Sequence, residues 1–494
     1  MIEAWSAQDV YAAEAALADE LASGELMARA VRGLVEVVAA RVDQLGAETV
    51  VALVGAGNNG ADALYAVAHL AEAGVSCAAA LDPEHVHAGA LEAARAAGVV
   101  IVSGAEALED VAEADVVLDG IVGLGGRPGL PAVAAAWVAA IPDDAHVIAV
   151  DLPSGQAADG TGFDPDGVLA DETVTFSVAK PVHLLPPTEQ ACGLLTVVDI
   201  GLAFETPPAV VRLTFDDVVD LWPVPGPEDD KYSRGVVGVV AGGEAFSGAA
   251  VLAVTAAVEA GAGMVRYVGT PTPTGLVRAA VPEAVHGEGR VQAWVVGPGL
   301  DVDATDEAAP AQLEVARRAL ASGEPVLVDA GGLDLVDDDV IASRRGRATL
   351  LTPHAGELAT LLTRLGGLDA TGGAVERAAV EAEPLRHARA LAERTGATVL
   401  LKGSTTLVVP ADPGAPVRSQ ADAPPWLATA GAGDVLAGLI GTLLAAGLDP
   451  VDAGALGALV HGVAADRAGA GGPVRALRVA HGIPETVAHL LTRH

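Results

Sequence analysis

The residues Thr429, Ala430, Gly431, Ala432 and Gly433 form a small, glycine-punctuated loop that opens directly into an amphipathic helix. The free backbone N–H groups of such a helix start make an anion hole for a phosphoryl group in transfer. Asp434 stands where a base would take the proton of an attacking hydroxyl. A second candidate lies at residues 50–64, VVALVGAGNNGADAL, where a strand runs through a glycine turn into a helix. Gly55, Gly57 and Gly60 satisfy G-x-G-x-x-G, with Asp82 closing the next strand, as in a dinucleotide-binding turn. Asp62 in the first helical turn speaks against that simple reading. A carboxylate there repels a pyrophosphate and suits hydroxyl recognition better.

Scarcity sharpens the list. The chain has three lysines, Lys180, Lys231 and Lys402, and two asparagines, the adjacent Asn58 and Asn59. All five sit in Gly- or Pro-rich turns beside predicted strands, as expected of residues whose ammonium or carboxamide has no substitute. Three further loops follow predicted strands: VLDGIVGLGGRPG (117–129), VDLPSG (150–155) and the Lys180-Pro181 turn. A dehydrogenase reading lacks a catalytic His or a Tyr-x-x-x-Lys set.

The elements that must position these loops are legible as apolar runs. In the first half the runs are Val50–Val54, Val75–Leu81, Val99–Val102, Val116–Asp119 and Val147–Val150, separated by Ala-rich helical patterns. Continuous apolar strands alternating with helices predict a parallel sheet covered on both faces, a Rossmann-like three-layer domain. Pro- and acid-rich segments at Glu205–Pro208 and Pro223–Asp230 mark a junction, giving predicted domains 1–207 and 208–494. A second α/β series follows, at Val236–Ala241, Met264–Val268, Val291–Val296, Val326–Asp329, Thr349–Leu351 and Val399–Leu401. Helices over Ala432–Ala446 and Val451–Ala468 close the chain.

Composition bounds the partners. The 494 residues carry 28 Lys+Arg against 65 Asp+Glu, a net charge of −37. No basic face is left for nucleic acid or an anionic membrane. Mean hydropathy is positive at +0.43, yet Ala249–Val265 and Val435–Leu448 fall short of the ~18 apolar residues of a spanning helix. The N-terminus reads as no signal peptide, and two cysteines make neither a disulfide framework nor a metal cluster. The expectation is a cytoplasmic enzyme of small-molecule substrates, assembled as a homo-oligomer.

Together the motifs resemble a known pair of activities. Asn58, Asn59 and Asp62, then Asp119, Gly123 and Gly125, then Asp151, Pro153, Ser154 and Gly155 are similar to the signature loops of NAD(P)H-hydrate epimerases. This chain departs from their pattern at Ala61 and Ala63, usually glycines, and a methyl at Ala61 is expected to narrow the nucleotide pocket. The runs KYSRG (231–235), AGGEAFSGAA (241–250), VVGPGL (295–300), VLVDAGGL (326–333), LTPHAGEL (351–358), LLKGSTT (400–406) and the GAGD of 431–434 closely resemble the ADP- or ATP-dependent NAD(P)H-hydrate dehydratases. Those enzymes have a ribokinase-like fold. Sugar and vitamin kinases share GAGD but lack KYSRG and TPHxGE, so a small-alcohol kinase fused to a docking domain stands as the alternative.

The resemblance implies roles by position. Asn58, Asn59, Gly60, Ala61 and Asp62, with Gly123, Leu124, Gly125, Gly126, Arg127 and Asp151, would hold hydrated NADH or NADPH. Potassium would sit on Asn59, Asp119 and Ser154, and Asp151 would move the proton at the hydrated carbon. In the second half Lys402, Gly403, Ser404, Thr405 and Thr406, with Ala428 through Gly433, would hold ADP or ATP with Mg2+. Thr405 stands where glycine is frequent, with nucleotide preference the property expected to change. Gly299, His354 and Asp434 would face the hydrate, with Glu357 beside them and Asp434 as the catalytic base. His354 and Glu357 form H-x-x-E without a second histidine at zincin spacing, so zinc is not expected. Lys231 and Arg234 are open between phosphate binding and capping of the first strand.

Overall fold

The computed structural model describes residues 1–104, 106–369 and 372–492. It divides into two compact units, one of Glu3–Val210 and one of Met1–Ile2 with Val211–His494.

In the N-terminal unit seven strands form one sheet in the order Val100–Val102, Ser76–Ala80, Thr49–Val54, Val116–Gly120, His146–Val150, Glu172–Phe176, Leu194–Val198. Every pairing is parallel. Alternate residues of each strand face opposite sides, so Val50, Ala52 and Val54 pack with helices Glu25–Leu45 and Asn58–Glu72, while Val51 and Leu53 pack with Ala134 and Trp137 across the sheet. Two apolar layers around one sheet make the predicted three-layer α/β unit. The strand order reverses between Thr49–Val54 and Val116–Gly120, and open parallel sheets bind ligands at such a crevice.

Two strands have no counterpart among the apolar runs. Glu172–Phe176 (ETVTF) is fully buried, yet three of its five residues are polar. Arg41 donates to Glu172 at 2.6 Å, and Thr173 donates to the Cys192 carbonyl at 2.7 Å. Leu194–Val198 is an edge strand with one face in water.

The sheet of the C-terminal unit is parallel through Val285–His286, Met264–Val268, Val236–Val240, Ala293–Val296, Val326–Val328, Thr349–Leu351 and Thr398–Leu401. Thr406–Val409 and Val417–Gln420 then continue it antiparallel. Helices Ser247–Glu259, Ala432–Ala445, Pro450–Gly469 and Ala476–Leu491 build the main core against one face. The first two approach closely because Gly438 has no side chain: a methyl there would lie 2.1 Å from the Ala253 carbonyl oxygen. Leu213, Val218 and Trp222, in the segment flanked by the two Pro-rich stretches, belong to this core. Among the described residues no helix is long and apolar enough to cross a membrane.

Candidate functional sites

The glycines of residues 55–60 shape the mouth of the N-terminal crevice. A methyl on Gly55 would lie 1.8 Å from the Ile121 carbonyl oxygen, and one on Gly60 would lie 2.0 Å from that of Gly55. Gly57, by contrast, faces open space and precedes a helix with no side-chain cap, so backbone N–H groups of Asn58–Glu72 are left for a ligand. This turn, the Gly123–Gly126 loop, Asn59, Asp62, Asp151 and Lys180 line one cavity of about 1530 Å³. That volume exceeds the roughly 300–1,000 Å³ of drug-sized sites and suits a dinucleotide.

Asp151 sits at φ +67°, a left-handed turn right after strand His146–Val150. Strain of that kind in a non-glycine residue concentrates at functional sites. Its Oδ1 accepts from Lys180 Nζ at 2.6 Å and from Thr175 Oγ1 at 3.1 Å. Lys180 is buried, and its other protons go to Thr175 Oγ1 at 2.7 Å and the Phe176 carbonyl at 3.2 Å. Burial alone would raise the Asp151 carboxyl, but the Lys180 charge and hydrogen bond outweigh it and hold the group below its ordinary value. His183 locks the turn from behind. Its Nδ1 accepts the Lys180 backbone N–H at 3.0 Å, so Nε2 carries the proton and donates to the Asp151 carbonyl at 2.9 Å. Burial, and then the Lys180 charge, push His183 down to about 3 and keep it neutral.

Asp119 and Ser154 form a second buried group. Ser154 donates to Asp119 through Oγ at 2.6 Å and through its backbone N–H at 2.8 Å, and it accepts the Val122 N–H at 2.9 Å. These bonds oppose a larger burial effect, and Asp119 rises to about 6. Asn59 packs against the same loop, since a methyl on Gly123 would lie 3.1 Å from Asn59 Oδ1. Hard oxygens and one incompletely compensated carboxylate are a donor set that fits a monovalent cation.

In the C-terminal unit the chemistry gathers at the carboxyl ends of three parallel strands. Lys402, after Thr398–Leu401, places Nζ 2.7 Å from Asp329 Oδ1 and 3.6 Å from Glu357 Oε2. Thr352 Oγ1 also donates to Asp329 Oδ1, at 2.9 Å. The GAGD loop lies over this cluster: a methyl on Gly433 would sit 3.4 Å from Lys402 Nζ. Gly431, at φ +90°, turns the chain into helix Ala432–Ala445, whose start has no side-chain cap. Asp434 in its first turn is pushed up to about 7, first by burial and then by the Asp329 charge, against the pull of Lys402. A carboxylate near neutrality beside uncapped N–H groups is a base set next to an anion hole.

His354 and Glu357 are a capping box of helix Ala355–Arg364. Glu357 N–H donates to His354 Nδ1 at 3.1 Å, and His354 N–H donates to Glu357 Oε2 at 2.7 Å. The Lys402 N–H to Pro353 carbonyl bond, 2.9 Å, ties this turn to the lysine. Among the described residues no group of three or more His, Cys, Asp or Glu is arranged to hold a metal.

Residues 23–182 match the family described as YjeF-related protein N-terminus, and residues 237–480 match NAD(P)H-hydrate dehydratase. The bifunctional NAD(P)H-hydrate repair enzyme Nnr of Mycobacterium leprae is 43% identical over 468 residues, covering 92% of this chain and 91% of that one. Its namesake in Mycobacterium tuberculosis is 44% identical over 470 residues, with 91% of each chain covered. The chain belongs to the bifunctional NAD(P)H-hydrate repair enzymes. The ADP/ATP-dependent NAD(P)H-hydrate dehydratase of Bacillus subtilis, co-crystallized with ATP/Mg2+, superposes with a TM-score of 0.47 at 22% identity, over 57% of this chain and 99% of that one. The reading as a two-domain repair enzyme therefore holds, and the small-alcohol kinase with a docking domain does not.

Within this repair enzyme the structure brings most of the expected residues together and moves a few away. Ala61 and Ala63 are buried in the core behind the loop, so the Ala61 methyl packs against the sheet and does not narrow the cavity. Arg127 is exposed and lies outside the cavity wall, as does Asp82, which pairs with His85 at 2.8 Å. Gly403 and Ser404 are exposed at the tip of the Thr398–Leu401/Thr406–Val409 hairpin, while Thr405 turns inward and is buried. Ala428, Thr429 and Ala430 are exposed ahead of the helix. Gly299 stacks on helix Ser247–Glu259, where a methyl would lie 2.5 Å from Ala249 Cβ. Arg234 anchors its turn by donating to the Gly261 carbonyl at 2.8 Å, whereas Lys231 is exposed with its Nζ over the Tyr232 ring.

Sequence reasoning missed Asp329, Thr175, His183 and Glu14. Asp329 ends the run VLVD, and only its distance to Lys402, 73 residues on, gives it a role. Glu14 is one of two acids, with Asp9, in an Ala-rich helix and yet lines the N-terminal cavity.

Proposed function

We propose that the N-terminal unit interconverts the R and S epimers of hydrated NADH and NADPH, and that the C-terminal unit dehydrates the S epimer at the expense of ADP. The observation that carries this is Asp434, raised to about 7 beside the uncapped start of helix Ala432–Ala445 and the Lys402 ammonium.

Ionised Asp434 takes the proton of the ring hydroxyl, whose oxygen attacks the terminal phosphorus of ADP, releasing AMP. Helix-start N–H groups and Lys402 hold the phosphoryl oxygens during transfer. Phosphate is a far better leaving group than hydroxide, so its departure with a proton of the adjacent ring carbon restores the dihydropyridine. Magnesium, when bound with the nucleotide, would neutralise phosphate charge. Lys402, Gly403, Ser404, Thr405, Thr406 and the 428–433 loop are the proposed nucleotide contacts. Gly299, His354 and Glu357 are the proposed contacts of the hydrate.

In the N-terminal unit Asp151 is the proposed proton-transfer group at the hydrated carbon. Gly57 and the Gly123–Gly126 loop would take the phosphates on backbone N–H groups, as an acidic chain requires. Asn59, Asp119 and Ser154 are the proposed potassium ligands.

Incubating purified S epimer with ADP and Mg2+ tests the dehydratase. The expected result is recovery of dihydropyridine absorbance with one AMP and one phosphate per NADH. A stable phosphorylated alcohol without NADH recovery would overturn it.

A further inference from the structure

Four carboxyls, Asp62, Asp151, Glu14 and Glu36, line the N-terminal cavity, with Lys180 and Arg32 as its cations. The lysine is committed to Asp151 at 2.6 Å, with its remaining protons on Thr175 and Phe176. Asp62 is 8% exposed, and its Oδ1 is buried without a hydrogen-bond partner. A carboxylate left so, without counter-ion or donor, is costly, and such a group keeps its proton. Burial first, then the charges of Asp151 and Glu14, raise it well above the ordinary carboxylate range. Asp151, held by Lys180, is pushed the other way. Two carboxyls of opposite protonation state on one cavity divide naturally into an acid and a base.

We propose that Asp62 is the proton donor of the epimerisation, a catalytic residue paired with Asp151 as acceptor; the proposal rests on the epimerase reading above. Asp62 gives its proton to the C6 hydroxyl. The C6–O bond breaks with its electron pair leaving on water, and the N1 lone pair forms the N1=C6 bond of an iminium. A water molecule then adds to the opposite ring face. Its oxygen bonds to C6, the N1=C6 pair returns to N1, and its surplus proton passes to Asp151. Net consumption is nil, since one water leaves and one enters, and a proton passed from Asp151 to Asp62 through solvent resets the pair. Asn59, one turn back on the same helix, presents a second buried group without a partner, Nδ2. That amide is placed to donate to the same ligand.

The titratable groups that share the cavity wall with Asp62 are Tyr11 and Glu14 from helix Ala7–Ala16, Arg32 and Glu36 from helix Glu25–Leu45, Tyr65 and His69 on its own helix, His87 ahead of helix Ala88–Ala96, Asp151 and Lys180, and of these Asp151 and Glu14 raise it. Glu14 is the competing candidate, because burial and Asp151 raise its value too.

The test follows conversion of purified R epimer to S by chromatography, with the full chain and no nucleotide. For Asp62→Asn, kcat is expected to fall by about 100-fold or more, the size of a lost general acid, with KM changed far less. Asp62→Glu is expected to restore part of the rate, and Glu72→Gln, at the exposed far end of the same helix and outside the cavity wall, to keep it. The unsubstituted chain in 18O-water is expected to place one solvent oxygen at C6 per epimerisation. Its kcat is expected to decline as pH rises past the raised Asp62 value, the limb that Asp62→Asn lacks. Epimerisation without label overturns the proposal, whether or not Asp62→Asn folds. So does a rate lost in Glu14→Gln and kept in Asp62→Asn. No epimerisation by the unsubstituted chain overturns the epimerase reading itself.

Discussion

With Asp434 as the proposed base, the dehydratase is expected to respond to pH with a midpoint that two neighbours set in opposite directions. Asp434 acts as a base only when ionised. With its value lifted from 3.8 to about 7, the rate of phosphoryl transfer rises with pH and levels off above neutrality. One unit below the midpoint about a tenth of the enzyme is active, and one unit above it about nine-tenths. The lift corresponds to roughly 4 kcal/mol against the charged form, at ~1.36 kcal/mol per unit. Burial is the largest cause, Asp329 adds to it, and Lys402 subtracts from it. Asp329→Asn removes the like charge and releases the ammonium now held at 2.7 Å, so both effects lower the Asp434 value. The midpoint is expected to move down by roughly one unit, at the low end of neighbouring-charge effects. Lys402→Met removes the opposing charge, and the midpoint moves up. The assay is the pH profile of kcat/KM for S epimer with saturating ADP, read as midpoint and not as height, because Lys402 is also a proposed nucleotide contact. Midpoints that stay put, or shift the same way in both variants, would refute the assignment of Asp434 as the base.

Other perturbations separate the two units. Lys180→Met leaves Asp151 buried without its cation, and thermal melting should show a loss of roughly 3–5 kcal/mol in the N-terminal unit together with loss of epimerase activity. Ser154→Ala removes the hydroxyl 2.6 Å from Asp119, and epimerisation assays should show weaker activation by potassium with S-epimer dehydration intact. Gly438→Val forces a side chain against the Ala253 carbonyl, and calorimetry should show destabilisation of the C-terminal unit of about 1–3 kcal/mol or more.

How much of this was legible in the residues follows from how local each signal is. Val50–Val54 and Met264–Val268 announce themselves because a strand buried on both faces must be a continuous apolar run. Glu172–Phe176 is equally buried but hides, since its polar side chains are satisfied by Arg41 and by the Cys192 carbonyl, far off in the chain. The loops proposed to contact ligands were legible because close backbone approach demands glycine: Gly55 and Gly60 admit no side chain. What the loops act upon was less so. Lys180 drew attention by the rarity of lysine and by its turn after a strand, but its partner Asp151 lies 29 residues away. Ala61 misled because a position inside a binding motif need not face the ligand; its helix turns it into the core.

The account stands or falls on two sites in one chain working in series. R epimer supplied alone with ADP and Mg2+ measures this directly, provided NADH is followed faster than uncatalysed epimerisation. The unsubstituted chain is predicted to recover NADH completely, and the Asp151→Asn chain to stall on R epimer while still consuming S. Recovery from R epimer at the same speed in both chains would contradict it.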